Sequence, residues 1–221
     1  YSEFGENMVL YLKGSFVLVL VDEANCTVKA ITDRLNVLPL YYCYKDQMIV
    51  LSSSVRMMLQ TGMVSNVMDY QALTEQLLFD YMLRDHYFYK DIRQTENGRV
   101  YTFSAEQLTN SQYWSVEDLY HEKLLPRKGS LELLSEQLFE NVNLYTSDRS
   151  KVLVSFTGGF DGRTNVAMIR KPTSDYLCYS YGMSGSKQSA IPEGISNKLN
   201  LQYQPVYLDE KFDRDYQKCA E

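Results

Sequence analysis

The stretch that most constrains this chain is Lys151 to Arg170, KVLVSFTGGFDGRTNVAMIR. Its Val152, Leu153 and Val154 form a short apolar, β-branched run that predicts a strand buried on both faces. Thr157-Gly158-Gly159-Phe160-Asp161-Gly162 then makes a compact turn, and Val166, Ala167, Met168 and Ile169 read as the buried side of a following helix. Strand, glycine turn and helix together make a place to hold phosphate. Adjacent glycines let backbone approach a ligand without Cβ clashes, and a helix start presents free N–H groups and the positive end of its dipole. Thr157 adds a hydroxyl, and Asp161 is the candidate ligand for a magnesium ion carrying pyrophosphate. A plain tight turn shares this grammar. The turn is not a Walker loop, because GxxxxGK[ST] requires a lysine that is absent.

Length leaves room for one large domain or two small ones: 221 residues, 45% of them apolar, support real cores. A net charge of −6 gives no footprint for nucleic acid. The longest apolar run, Phe16 to Val21, is far too short to span a bilayer. No signal peptide is evident, although the chain begins at Tyr1 without a methionine. Cys26, Cys43, Cys178 and Cys219 are scattered, with no CxxC pair and only His86 and His121 beside them. They read as reduced thiols of a cytoplasmic protein with no zinc site, and both histidines as surface residues.

Along the chain, Phe4, Met8, Val9 and Leu12 have helical spacing up to a stop at Gly14. Residues 15–22 and 27–31 predict a hairpin, and residues 38–44 and 48–51 a second. Four consecutive strands imply one antiparallel sheet. Ser52 to Ser54 offer N-caps for a short helix ending near Gly62, and Asp69 caps another running to about Leu83 whose apolar side is Leu73, Leu77 and Leu78. Residues 87–92, 99–103 and 112–114 read as extended, with a turn at Asn97-Gly98. Residues 115–129 suit a linker between units 1–115 and 130–221. Ser130 then caps a helix with Leu131, Leu134, Leu138, Val142 and Tyr145 in one stripe. Strands at 152–154, 176–181 and 203–208 alternate with helices, predicting βαβαβ and a parallel sheet. The fold class is thus α+β followed by α/β. Ligands of such sheets bind beyond the strands' carboxyl ends, where residues 156–161 and 181–184 share an edge.

The loop at Thr157–Gly162 resembles the Ser-Gly-Gly-x-Asp-Ser pyrophosphate loop of the N-type ATP pyrophosphatases, with Thr157 and Gly162 in place of the two serines. The opening YSEFGENMVLYLKGSFVLVLVDE and the run Thr32 to Tyr42, TDRLNVLPLYY, are similar to the class II glutamine amidotransferase domain. Leu51 to Ser54, Asn97-Gly98 and Tyr113-Trp114 resemble its further signatures. That order of domains is the one found in asparagine synthetase and its relatives, including β-lactam synthetases and peptide cyclases. The likeness implies an antiparallel sheet of the N-terminal-nucleophile type followed by a parallel adenine-nucleotide alpha-hydrolase-like sheet. The chain starts downstream of the family's amino-terminal cysteine and glutamine-gripping residues, so these residues are expected to lack glutaminase activity. It stops before a later phosphate and magnesium segment.

The resemblance implies an ATP-dependent amidoligase that adenylates a carboxylate, releases pyrophosphate and lets ammonia or an amine attack. ATP and Mg2+ are the implied cofactors, a small carboxylate is the partner, and a homodimer is a candidate assembly. Backbone at Thr157, Gly158, Gly159 and Gly162 would cradle phosphate, Asp161 would hold magnesium and Arg163 would reach phosphate or pair with solvent-side acids. Phe156 and Tyr181-Gly182 would line the nucleoside; Phe156 and Tyr181 read equally as core. Gln188 stands where relatives usually carry an aspartate. Asp33, Arg34, Pro39, Tyr41 and Tyr42 read as turn and packing residues. The rival functions are a non-catalytic nucleotide-binding pseudo-synthetase and another N-type pyrophosphatase, which the four-stranded front disfavours.

Overall fold

The computed structural model describes residues 1, 3–121, 123–147, 151–169 and 175–220, the last four by backbone alone. Arg170 and the side chain of Cys219 therefore lie outside it. The chain divides into two compact units, Tyr1–Lys123 and Leu124–Glu221.

In the first unit a 3-10 helix over Gly5–Leu10 precedes the expected hairpin, β1 (Val17–Asp22) with β2 (Thr27–Thr32). The second hairpin is β3 (Tyr41–Lys45) with β4 (Met48–Ser52), and β5 (Arg93–Gln94), β6 (Arg99–Phe103) and β7 (Leu108–Gln112) complete the strands. The two hairpins do not share one sheet, as the sequence led us to expect. Their antiparallel orders are β1-β2-β6-β7 and β4-β3-β5. Val28 pairs with Phe103 and Tyr42 with Arg93, so the free edges of β2 and β3 take partners from far along the chain. A core of Ala30, Leu40, Tyr42, Tyr101 and Phe103 draws on both sheets, with the Tyr42 and Phe103 rings edge to face at 5.6 Å. Burial pushes the Tyr101 hydroxyl up to about 12.

The connection between β2 and β3 is what separates the sheets. Asp33 is 2% exposed, and its carboxylate accepts from the amides of Phe16 (3.1 Å), Leu35 (2.9 Å) and Val37 (3.3 Å). Its backbone carbonyl accepts from the amide of Gly98 at 2.9 Å. Thr32 donates to the Glu96 carbonyl at 2.8 Å, and the Tyr113 hydroxyl donates to the Thr32 carbonyl at 2.6 Å. Asn36 takes φ of +50°, the left-handed value that asparagine tolerates. Within the run Thr32 to Tyr42, Thr32 and Asp33 are thus a buried knot of backbone contacts under an exposed turn of Arg34, Leu35, Val37 and Leu38, in keeping with its reading as a structural turn.

Helix α1 (Val55–Gln60) is capped by Ser54 and α2 (Tyr70–Phe79) by Asp69, whose carboxylate accepts from Gln71 and Ala72. Helix α2 ends at Phe79, short of the expected Leu83, because Asp80 takes the left-handed conformation, and its buried side differs from the expected one. Ala72 and Glu75 face inward, while Leu77 and Leu78 are 76% and 71% exposed.

In the second unit α3 (Arg127–Thr146) leads to β8 (Val152–Ser155), α4 (Phe160–Met168), β9 (Tyr176–Gly182), α5 (Lys187–Leu199), β10 (Tyr203–Tyr207) and α6 (Glu210–Ala220). The three strands are parallel in the order β10-β9-β8, as the alternation predicted. Three local expectations are corrected. Of Val166, Ala167, Met168 and Ile169 only Val166 is buried; Ala167 is exposed and Ile169 is the C-cap of α4. Ser130 does not cap α3, which begins at Arg127 after Pro126; the Ser130 hydroxyl donates back to the Pro126 carbonyl at 2.9 Å. Nor is β8 buried on both faces. It is an edge strand, and Leu153 is 68% exposed while Val154 joins Phe156, Val166, Tyr176 and Cys178 in the core.

Candidate functional site

The parallel register pairs Ser155 with Tyr179, so β9 runs beyond the end of β8 and Tyr181-Gly182 shares a sheet edge with the glycine turn. The Phe156 amide donates to the Tyr179 carbonyl at 2.7 Å, which fixes the base of the turn. Phe156 is 1% exposed and its side chain packs in the core, so only its backbone is available to the turn.

Two glycines of the turn answer different steric demands. A Cβ at Gly162 would lie 2.8 Å from the Ser155 carbonyl oxygen, so the first turn of α4 closes onto the end of β8 only without a side chain. A Cβ at Gly158 would meet Ile191 of α5 at 3.1 Å. Gly159 is the N-cap of α4 and brings no side chain to cap it, so the first-turn amides are left to whatever approaches from solvent. Asp161 sits in that first turn with an exposed side chain. Part of the turn is bonded to itself. The Gly159 amide donates to the Thr157 hydroxyl at 3.3 Å, and Arg163 donates from Nε to the Gly159 carbonyl at 3.0 Å while its guanidinium lies 4.7 Å over the Phe160 ring.

At the end of β9, Tyr181 is 58% exposed and free of the core, whereas Gly182 is buried. The Gly182 carbonyl accepts from the Leu208 amide at 3.1 Å, and a Cβ there would press on Gln188 at 3.1 Å. Gln188 thus packs beside the edge at the position where an aspartate was looked for. Among the described residues no group of three or more His, Cys, Asp or Glu side chains converges on a metal position, so Asp161 would offer a magnesium ion one carboxylate. The same residues include no helix long and apolar enough to cross a membrane.

Sequence reading missed the buried partner of His86 in the first unit. His86 is not a bare surface residue: its Nδ1 lies 3.0 Å from both carboxylate oxygens of buried Glu75, which also accept from the Leu83 amide (2.9 Å) and Gln71 (3.0 Å). The Leu83 bond, followed by Gln71 and His86, holds the Glu75 carboxyl below the usual range against the opposing cost of burial. A depressed carboxyl stabilises the fold above its unfolded pKa, and that stability is lost as pH falls through the folded value. The stability gap between the native chain and Glu75→Gln should therefore be full at pH 7 and close under acid, as followed by urea unfolding from pH 7 to 3; a gap independent of pH would refute it. Cys43 and Cys178 are buried, and burial pushes both thiols up, away from the thiolate a nucleophile needs.

Residues 1–114, which hold both antiparallel sheets and the Asp33 knot, match the family described as glutamine amidotransferase domain. The chain belongs to that family. Amidase chry2 of Gibberella zeae is 22% identical over 231 residues, covering 96% of this chain and 34% of that protein. Amidase chyE of Penicillium rubens is 23% identical over 234 residues, again covering 96% of this chain and 34% of the relative. A Methanocaldococcus jannaschii protein bearing the name asparagine synthetase 2, glutamine-hydrolyzing, is 20% identical over 228 residues, covering all of this chain and 43% of its own length. The chain of this glutamine amidotransferase family member thus spans between a third and a half of the curated relatives it matches.

Proposed function

We propose that the protein carrying this chain is an asparagine synthetase-like, ATP-dependent amidoligase, and that the second unit supplies the nucleotide site. The observation that carries the reading is the uncapped start of α4, set against the end of β8 by Gly162 and flanked by Gly158 and Gly159. Such a start attracts anions through its free N–H groups and dipole. The distant likeness to an asparagine synthetase over the full chain agrees with it. ATP would lay its phosphates on the amides of Thr157, Gly158, Gly159 and Gly162, and Arg163, steadied on Phe160, would point its remaining N–H groups toward the same charge. Asp161 would hold Mg2+, which supplies positive charge to a leaving pyrophosphate. Tyr181-Gly182 and the Phe156 backbone would border the nucleoside. The carboxylate would be adenylated with loss of pyrophosphate and then taken by ammonia or an amine.

A second reading, a nucleotide-binding pseudo-synthetase without catalysis, has its own support in the Gly159–Thr157 and Arg163–Gly159 bonds that close the turn on itself. Both readings require nucleotide binding; pyrophosphate release by the whole protein separates them. The first test is thermal. ATP with Mg2+ at one hundred times its Kd should stabilise the folded chain by about 2.7 kcal/mol, and Asp161→Asn should remove the magnesium-dependent part of that gain. No melting shift at millimolar nucleotide would refute both.

A further inference from the structure

The first unit carries a groove that the nucleotide reading does not use. It has a volume of about 630 Å3 and is lined by Val55, Arg56, Leu59 and Gln60 of α1 on one wall and Met68, Tyr87, Phe88 and Tyr89 on the other. That volume lies in the range of small-molecule sites, which run from roughly 300 to 1,000 Å3.

The walls are held before any ligand arrives. Met68 and Tyr89 form an antiparallel bridge, the Asp69 amide donates to the Phe88 carbonyl at 2.8 Å, and the Lys90 amide to the Val67 carbonyl at 3.0 Å. Tyr87 packs edge-on against Tyr41 at 4.8 Å and lies 5.4 Å from Phe88. Val55, Leu59, Tyr87 and Tyr89 rest on the buried cluster of Cys43, Met58, Val64 and Ile92. Arg56 and Gln60 lie one turn apart on α1, both exposed, and neither side chain is bonded to another group among the described residues.

We propose that this groove binds a small aromatic carboxylate, its ring against Tyr87, Tyr89 and Met68 and its carboxylate on the Arg56 guanidinium, with Gln60 donating beside it. Aromatic walls favour a flat ring through offset and edge contacts, and methionine adapts to its outline. An unpaired guanidinium selects a carboxylate over a neutral head by charge-assisted, two-pronged hydrogen bonds. The inference does not depend on the nucleotide site.

Isothermal titration and amide chemical shifts of the whole chain with indole-3-acetate and indole-3-acetamide test it. The acid should bind saturably, move the amides of α1 and of residues 68 and 87–89, and bind more tightly than the amide. Arg56→Gln should weaken the acid about tenfold and bring the two probes level. Met68→Trp, at a partly exposed position, should fill the groove and abolish binding of both while the chain stays folded. No saturable binding at several millimolar, shifts confined to other residues, or equal affinities that Arg56→Gln leaves unchanged would overturn the proposal.

Discussion

The Gly98→Ala substitution is expected to destabilise the first unit by more than about 3 kcal/mol, enough to unfold it in mild denaturant. Gly98 has φ of +61°, and a Cβ there would lie 2.4 Å from the backbone oxygen of Trp114. The left-handed conformation alone costs alanine about 1 kcal/mol; the clash adds to it because the atom struck is backbone and cannot rotate away. The surroundings cannot give. The Gly98 amide donates to the Asp33 carbonyl and its carbonyl accepts from the Tyr113 amide at 2.8 Å, so any shift pulls on the buried knot between the sheets. Trp114 is the single tryptophan of the chain and reports this unit directly. Its fluorescence should show the urea midpoint falling sharply in the variant. An unchanged midpoint would mean that the turn is looser than the knot around Asp33 implies.

The second large effect is expected at Gly162. A Cβ at 2.8 Å from the Ser155 oxygen and 3.3 Å from the Phe156 Cα meets only backbone, so Gly162→Ala must lever the start of α4 away from β8. The first-turn amides would move with it. Nucleotide affinity should fall on the order of tenfold or more, since tenfold corresponds to about 1.4 kcal/mol, and the second unit should lose about 1–3 kcal/mol of stability. Gly129→Ala, in the first turn of α3 with open space around its Cβ, is the control: nucleotide affinity should stay unchanged and stability should hold or rise by up to about 1 kcal/mol. Equal nucleotide affinity in native chain and Gly162→Ala would contradict the glycine cradle.

What the sequence disclosed was governed by range. The β1–β2 hairpin, the caps Ser54 and Asp69, and the strand–turn–helix around Gly158 are local: turn residues and alternating apolar positions specify each within a few residues. The split into two sheets was hidden because the partners of β2 and β3 come from residues 93–103, and such pairing depends on tertiary register. The buried face of α2 was misread for a related reason. Leucines normally mark the core, but the Glu75 carboxylate is buried there and satisfied by Leu83, Gln71 and His86, and Leu77 and Leu78 are left outside. At the candidate site the need for Gly162 follows from close helix–strand packing, whereas the contact of Gly158 with Ile191 and the Arg163–Phe160 stack appear only once α5 and α4 are folded. Phe156 was undecidable from sequence, because an aromatic at a strand end packs inward or lines a site with the same composition; the parallel sheet turned it inward.

The most direct test is a titration of the isotopically labelled chain with ATP and Mg2+, following the backbone amides of Thr157, Gly158, Gly159, Asp161 and Gly162. The account predicts that these five move together, saturate with one affinity, and respond to inorganic pyrophosphate in the same direction. Resonances that stay in place at millimolar nucleotide, or saturable shifts located only in other residues, would contradict it.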